Sequence, residues 1–284
     1  MRHTLGVVSL SLFLQASTFC QEPAAGVQPP AATFQAPVQV RQLTYAQLDG
    51  SRNAATLVEG IAQSGPRPAI LFLHWYGPPD PTSNRTQFLP EAIELAGSGV
   101  VSLLIDTPWS NERWFGTRDS AKDYEFTARM AKDVRRALDL LLAQPNVDRT
   151  RVAVVGHDFG AMWGALAVAD DPRVTHFAYA AGTSSFSDWY LYTPKREGPE
   201  REAFIARLAP LDPIAHLAKI APRPILLQFG TRDEHVKNEA ATAQAEAAKE
   251  PKTVKVYQNA GHELTFQARL DRLAWIREQF KLAR

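Results

Sequence analysis

The chain has 284 residues, 45% of them hydrophobic, enough for a sizeable core in one α/β domain. Its 31 basic and 30 acidic residues leave no basic field that could hold phosphates, so no nucleic-acid partner is expected. Cys20 is the single cysteine, which excludes a disulfide framework and, once an N-terminal leader is removed, any thiolate nucleophile or cysteine metal site.

That leader is the first expected element. Arg2 and His3 precede an apolar run from Leu5 to Leu14, and small residues follow to Cys20. This is the layout of a secretory signal over residues 1–20, which places the protein in the periplasm or outside the cell. The run is too short to span a bilayer, so no stable membrane insertion is expected after cleavage. Phe19 is not the small residue that precedes a lipidated cysteine, which favours plain export over anchoring at Cys20. Residues 21–37, rich in Pro, Ala and Gln, read as a flexible linker.

A single domain over 38–284 follows. Val38 to Leu48 alternates as a strand, and Asp49-Gly50 marks a turn into a hairpin partner at Ala54 to Glu59. Short apolar runs then recur at 68–74, 100–106, 152–155, 174–181, 224–229 and 254–257, each suited to a strand buried on both faces of a parallel sheet. Helical patterns lie between them at 90–96, 123–143, 158–170, 240–249 and 264–282. Strand and helix alternate, which predicts an open, mostly parallel sheet with helices on both faces. Residues 183–220, with Phe186, Trp189, Tyr190 and Tyr192 and a short helix near 202–208, read as a small lid-like insertion.

The stretch Val152-Ala153-Val154-Val155-Gly156-His157-Asp158-Phe159-Gly160 carries the chemistry. Gly-x-nucleophile-x-Gly after an apolar strand is a nucleophile elbow, and Asp158 stands where serine is usual. Asp233 lies just past the strand at 224–229, and His262 just past the last strand, in Gly261-His262. The order nucleophile, acid, histidine is that of this elbow architecture. Glu234, Asp212 and Asp106 are the other acids that could serve His262. His157 reads as orienting the elbow, and His176, His216 and His235 as surface or packing residues. With no His-Glu-x-x-His, no clustered ligand set and no Gly-x-Gly-x-x-Gly, neither a metal nor another cofactor is expected.

On these residues the chain resembles an α/β-hydrolase from about residue 38 to the end. The elbow Gly-His-Asp-Phe-Gly is similar to those of epoxide hydrolases and haloalkane dehalogenases. Asn84 to Phe88, Val134 to Asp139, Leu211 to Ile214 and Asp271 to Trp275 resemble the dienelactone hydrolase branch. The resemblance implies an oxyanion hole from the backbone N–H of Phe159 and of Trp75 or Tyr76, with Trp75 favoured. His74, Tyr76, Trp189 and Tyr190 are the implied contacts to a small-molecule substrate.

Three functions remain open. An aspartate carboxylate needs no base to ionise at neutral pH, and it can attack an sp3 carbon bearing a good leaving group, as in an epoxide or alkyl halide. His262, oriented by Asp233, would then direct water at the resulting ester. Alternatively the protein is an esterase or lactonase of dienelactone hydrolase type, in which Asp158 is a base for water. The third reading is a non-enzymatic binding protein on a hydrolase scaffold.

Overall fold

The computed structural model describes residues 37–61, 65–77 and 84–282. The leader and nearly all of the linker lie outside them. Eight strands are described: β1 (Val38–Ala46), β2 (Arg52–Gly60), β3 (Arg67–Leu73), β4 (Val101–Ile105), β5 (Val147–His157), β6 (His176–Ala180), β7 (Ile225–Gly230) and β8 (Lys252–Tyr257). They form one sheet in the order β1-β2-β4-β3-β5-β6-β7-β8. β2 pairs antiparallel with both β1 and β4, and every pairing from β4 to β8 is parallel. The hairpin therefore caps one edge of a parallel sheet. β5 begins earlier than its apolar run because the residues from Val147 to Arg151 extend it outward, with Val147 beside Arg67 of β3.

Between and after the strands lie α1 (Leu89–Ala96), α2 (Trp114–Thr117), α3 (Asp123–Leu142), α4 (Phe159–Ala169), α5 (Ser187–Tyr190), α6 (Gly198–Leu208), α7 (Pro213–Leu217), α8 (Asn238–Ala247) and α9 (Phe266–Gln279). The short helices α2, α5 and α7 carry too few turns for a periodic apolar face, which is why the sequence does not announce them.

Strand alternation divides the core into two layers. Ala69, Leu71 and Leu73 of β3 and Val152 and Val154 of β5 pack with α3 and α4 on one face. Ile70 and Phe72, with Ala153 and Val155, pack with α1 and α9 on the other. α4 is apolar all round, from Phe159 to Val168, because the sheet lies against one side of it and α3 and α7 cover others.

The second layer holds a buried ion pair that ties α9 to α1. Arg272 contacts Glu91 twice, at 2.6 and 3.0 Å, and donates to Gln228 Oε1 at 2.7 Å. Gln228 in turn donates to the Ala268 carbonyl and the Tyr257 hydroxyl, so β7 joins the same network. Removing one partner of a buried pair costs about 3–5 kcal/mol, because the other charge is left without compensation. Glu91→Ala is expected to lose stability on that scale in a urea melt, whereas Glu94→Ala, at the half-exposed ion pairs to Arg269 and Arg277, should lose under about 1 kcal/mol.

Candidate active site

The site is built where β3, β5, β7 and β8 end. At the end of β5 the chain reverses through Asp158, whose φ of 55° and ψ of −122° lie in a region that non-glycine residues seldom occupy. Such a conformation costs on the order of 1–3 kcal/mol and persists only where its surroundings enforce it. Here Asp158 N–H donates to the Ala180 carbonyl at 2.9 Å, and its own carbonyl accepts from Met162 N–H at 3.0 Å. The flanking glycines are sterically required. A Cβ on Gly160 would overlap the Leu73 carbonyl, and one on Gly156 would overlap the Gly160 carbonyl. The backbones of β3, β5 and α4 thus meet closely enough to push the Asp158 side chain toward the loop after β3.

There the carboxylate is held asymmetrically. Oδ2 accepts from Tyr76 N–H at 3.0 Å. Oδ1 is buried without a hydrogen-bond partner and lies 3.5 Å from His262 Nε2, which is likewise buried and unpartnered. On its other side the imidazole donates from Nδ1 to Asp233, 2.9 Å from Oδ2 and 3.1 Å from Oδ1. Asp233 Oδ1 also accepts from the N–H groups of His235 and Val236. Burial works against a charge on Asp233, but His262 and those two N–H donors outweigh it and lower its pKa.

His262 therefore sits between two carboxylates. Burial pushes its pKa down, but Asp158 and Asp233 more than offset this and raise it to about 10. The resting imidazole is protonated at neutral pH. Its pKa in the unfolded chain is near 6.5, below the folded value, so its contribution to stability is complete below pH 6.5. It is lost as pH rises through about 10. A thermal melt series should show Tm falling over that window, with a flatter profile in His262→Gln.

The structure brings Asp158, Asp233 and His262 together. Asp212 instead accepts from Phe186 N–H, and Asp106 is engaged by Arg85 and Ser110, so neither faces His262. The other expected contacts divide. Trp75 N–H is taken by Gln87 Oε1 at 2.9 Å, and the donor facing Asp158 is Tyr76 N–H, one residue later than expected. Phe159 is the first residue of α4, directly after Asp158. His74 does not reach substrate space: it is fully buried, with Nδ1 on the Trp75 carbonyl and Nε2 on Thr107 and Ser110. It grips the C=O of the same peptide whose N–H belongs to Tyr76.

Trp189 and Tyr190 are neighbours on α5 and part ways. Trp189 packs on Phe159, His235 and His262, and its Nε1 is buried with no hydrogen-bond partner. Tyr190 turns away, its hydroxyl on Thr127 and its ring under the Arg118 guanidinium, so it is a core residue and not a substrate contact. His235 packs, partly exposed, with its ring 4.4 Å from that of Trp189 and 4.8 Å from that of His262. The rings of Tyr76, Trp109, Trp114, Phe115, Trp163 and Trp189 enclose Phe159 at 5.1–6.4 Å.

A cleft of about 550 Å³ opens on this site, lined by Trp75, Tyr76, Arg232, His235, His262 and Leu264 among others. It reaches the imidazole but stops short of Asp158, which is wholly inaccessible.

An elbow after the central strand, an acid after β7 and a histidine after β8, on this mostly parallel sheet, define a hydrolase of the α/β-hydrolase superfamily. Residues 95–283 match the prolyl oligopeptidase family, and the chain belongs to it. Solved structures with the same fold include an acetyl xylan esterase from Paenibacillus sp. R4, 15% identical, with a TM-score of 0.66 over 89% of this chain and 87% of that one. A putative dienelactone hydrolase from Klebsiella pneumoniae is 14% identical, with a TM-score of 0.61 over 84% and 98%. A 2,6-dihydroxy-pseudo-oxynicotine hydrolase is 20% identical, with a TM-score of 0.62 over 84% and 67%.

Proposed function

We propose that this hydrolase attacks an sp3 carbon of a small, uncharged substrate with Asp158 and then hydrolyses the ester so formed. The observation that carries this reading is the division of labour within one carboxylate: Oδ2 is held by Tyr76 N–H, while Oδ1 is free of hydrogen bonds. Oδ1 bonds to the carbon, and the leaving group departs with the electron pair of its own bond, as from an alkyl halide or an opened epoxide. The resting His262 is protonated and cannot serve as a base. Esterification removes the Asp158 charge, one of the two that hold the proton on His262. The imidazolium then gives that proton to the alkoxide of an opened epoxide, or through the cleft to bulk water when a halide leaves, so the base becomes available only after the nucleophile has been used.

His262 then takes a proton from water, and the oxygen of that water adds to Cγ. Charge develops on Oδ2, where Tyr76 N–H already points and Phe159 N–H can join it. The Cγ–Oδ1 bond breaks, Oδ1 takes that proton from the His262 imidazolium, and it leaves in the product alcohol. Residues 183–220 act as a lid in this scheme, with Trp189 packed on Phe159 and His262.

Single-turnover hydrolysis in 18O water tests this. The label should enter Asp158 and the first product should carry unlabelled oxygen; label in that product with none in Asp158 would rule the ester out.

The solved structures favour a second reading, an esterase or lactonase, since an acetyl xylan esterase and a putative dienelactone hydrolase share the fold. Direct attack by Asp158 on an acyl group would give an anhydride, so here Asp158 serves as base for water. Turnover of short acyl esters or lactones that is lost in Asp158→Ala, with no 18O in Asp158 of the wild type, supports this reading over the first.

A further inference from the structure

Three hydrogen bonds run through Gln87 and His157, two residues that the reaction above does not use. Trp75 N–H donates to Gln87 Oε1. With the amide oxygen so engaged, the NH2 end faces the other way, and Gln87 Nε2 donates to His157 Nδ1. A ring nitrogen that accepts carries no proton, so the proton of neutral His157 is on Nε2, which donates to the His262 carbonyl at 2.9 Å. The relay has one direction only. It begins at a backbone N–H, which can only donate, and ends at a backbone C=O, which can only accept.

His157 is almost fully buried, and burial pushes its pKa down to about 3, so the ring stays neutral. Its ring also stacks on the Trp75 indole at 5.2 Å and 16°. The three loops that the relay links supply the oxyanion donor, the nucleophile and the base.

The geometry points to Gln87 and His157 as positioning residues that hold Tyr76 N–H and the His262 imidazole in one frame around Asp158; this inference rests on the ester-forming reading. Gln87 fixes the Trp75 backbone, which sets the direction of the next N–H, that of Tyr76. His157 fixes the His262 backbone, which sets the imidazole against Oδ1. Both held groups act in ester hydrolysis. Attack by Asp158 itself needs no base, so the relay belongs to the second step.

The test compares Gln87→Met, Gln87→Glu and His157→Phe with wild type, timing leaving-group release and ester hydrolysis separately. A small misplacement of a reacting group costs about 10²-fold. Gln87→Met and His157→Phe should slow ester hydrolysis on that scale and leave leaving-group release nearly unchanged. kcat and KM then fall together while kcat/KM holds. Gln87→Glu should retain most of the wild-type rate, because one oxygen still accepts from Trp75 and the other pairs with a protonated His157 that still donates from Nε2. A role in packing alone predicts the reverse order, with apolar Met tolerated and charged Glu not. That order, or an equal loss in both steps, overturns the inference.

A second measurement is independent of the chemistry. Imidazole 15N shifts of the wild type should show His157 as the neutral Nε2–H tautomer from about pH 5 to 9, well above its depressed pKa. An Nδ1–H tautomer or a titration in that range overturns the relay. If 18O labelling fails while this tautomer is found and the Met and Glu variants keep their order in overall turnover, the ester reading falls and the relay stands.

Discussion

The His262→Gln variant is expected to complete the first half of one turnover and stop. Asp158 needs no help from His262 to attack, so one equivalent of leaving group should be released per active site. The ester then has no base to direct water at it. Steady-state turnover should fall by about 10²–10⁴, the range that a positioned general base contributes. Intact mass spectrometry should show the protein heavier by the alkylating fragment, and peptide mapping should place it on Asp158. The trapped fragment would also reveal the carbon skeleton of whichever substrate from a halide and epoxide panel was turned over. Loss of the burst together with turnover, with no adduct, would mean that His262 acts before or during the first chemical step, as it would if Asp158 and His262 activated water directly.

Asp158→Asn is expected to abolish both steps, with a loss of about 10⁴ or more in kcat, comparable to removal of other covalent nucleophiles. Because Asn keeps the shape and an oxygen that can accept from Tyr76 N–H, the fold should survive, and circular dichroism and Tm report this. The same substitution changes His262 in a measurable way. With one of its two flanking carboxylates neutralised, the imidazole should titrate well below its wild-type value of about 10. NMR titration of His262 in the two proteins reads this shift directly. A titration unchanged by Asp158→Asn would mean that the nucleophile's charge does not control the base, and the ordering of the two steps would need another cause.

The sheet, the elbow and the chain order of Asp158, Asp233 and His262 are all legible in the sequence, because each leaves a local mark. Apolar runs of about four to eight residues mark buried strands, and paired glycines mark a turn where backbones touch. The finer placement leaves no such mark. Whether Trp75 or Tyr76 presents its N–H depends on the Gln87 amide, which arrives from the turn at Asn84–Phe88. Whether Trp189 or Tyr190 faces the site depends on the rotational phase of α5, a four-residue helix with no periodicity to read. His157 can be read as orienting the elbow, but its partners lie 70 and 105 residues away along the chain.

The complete burial of Asp158 bears on how the protein meets its medium. Ions in solution weaken attraction between charges that water can surround, and they act far less on a pair enclosed in protein. The Asp158 carboxylate is wholly buried, and of the pair only the His262 imidazole meets the cleft, so dissolved ions do not reach the carboxylate itself. The chemical step here should run at nearly the same rate in fresh water and in brine.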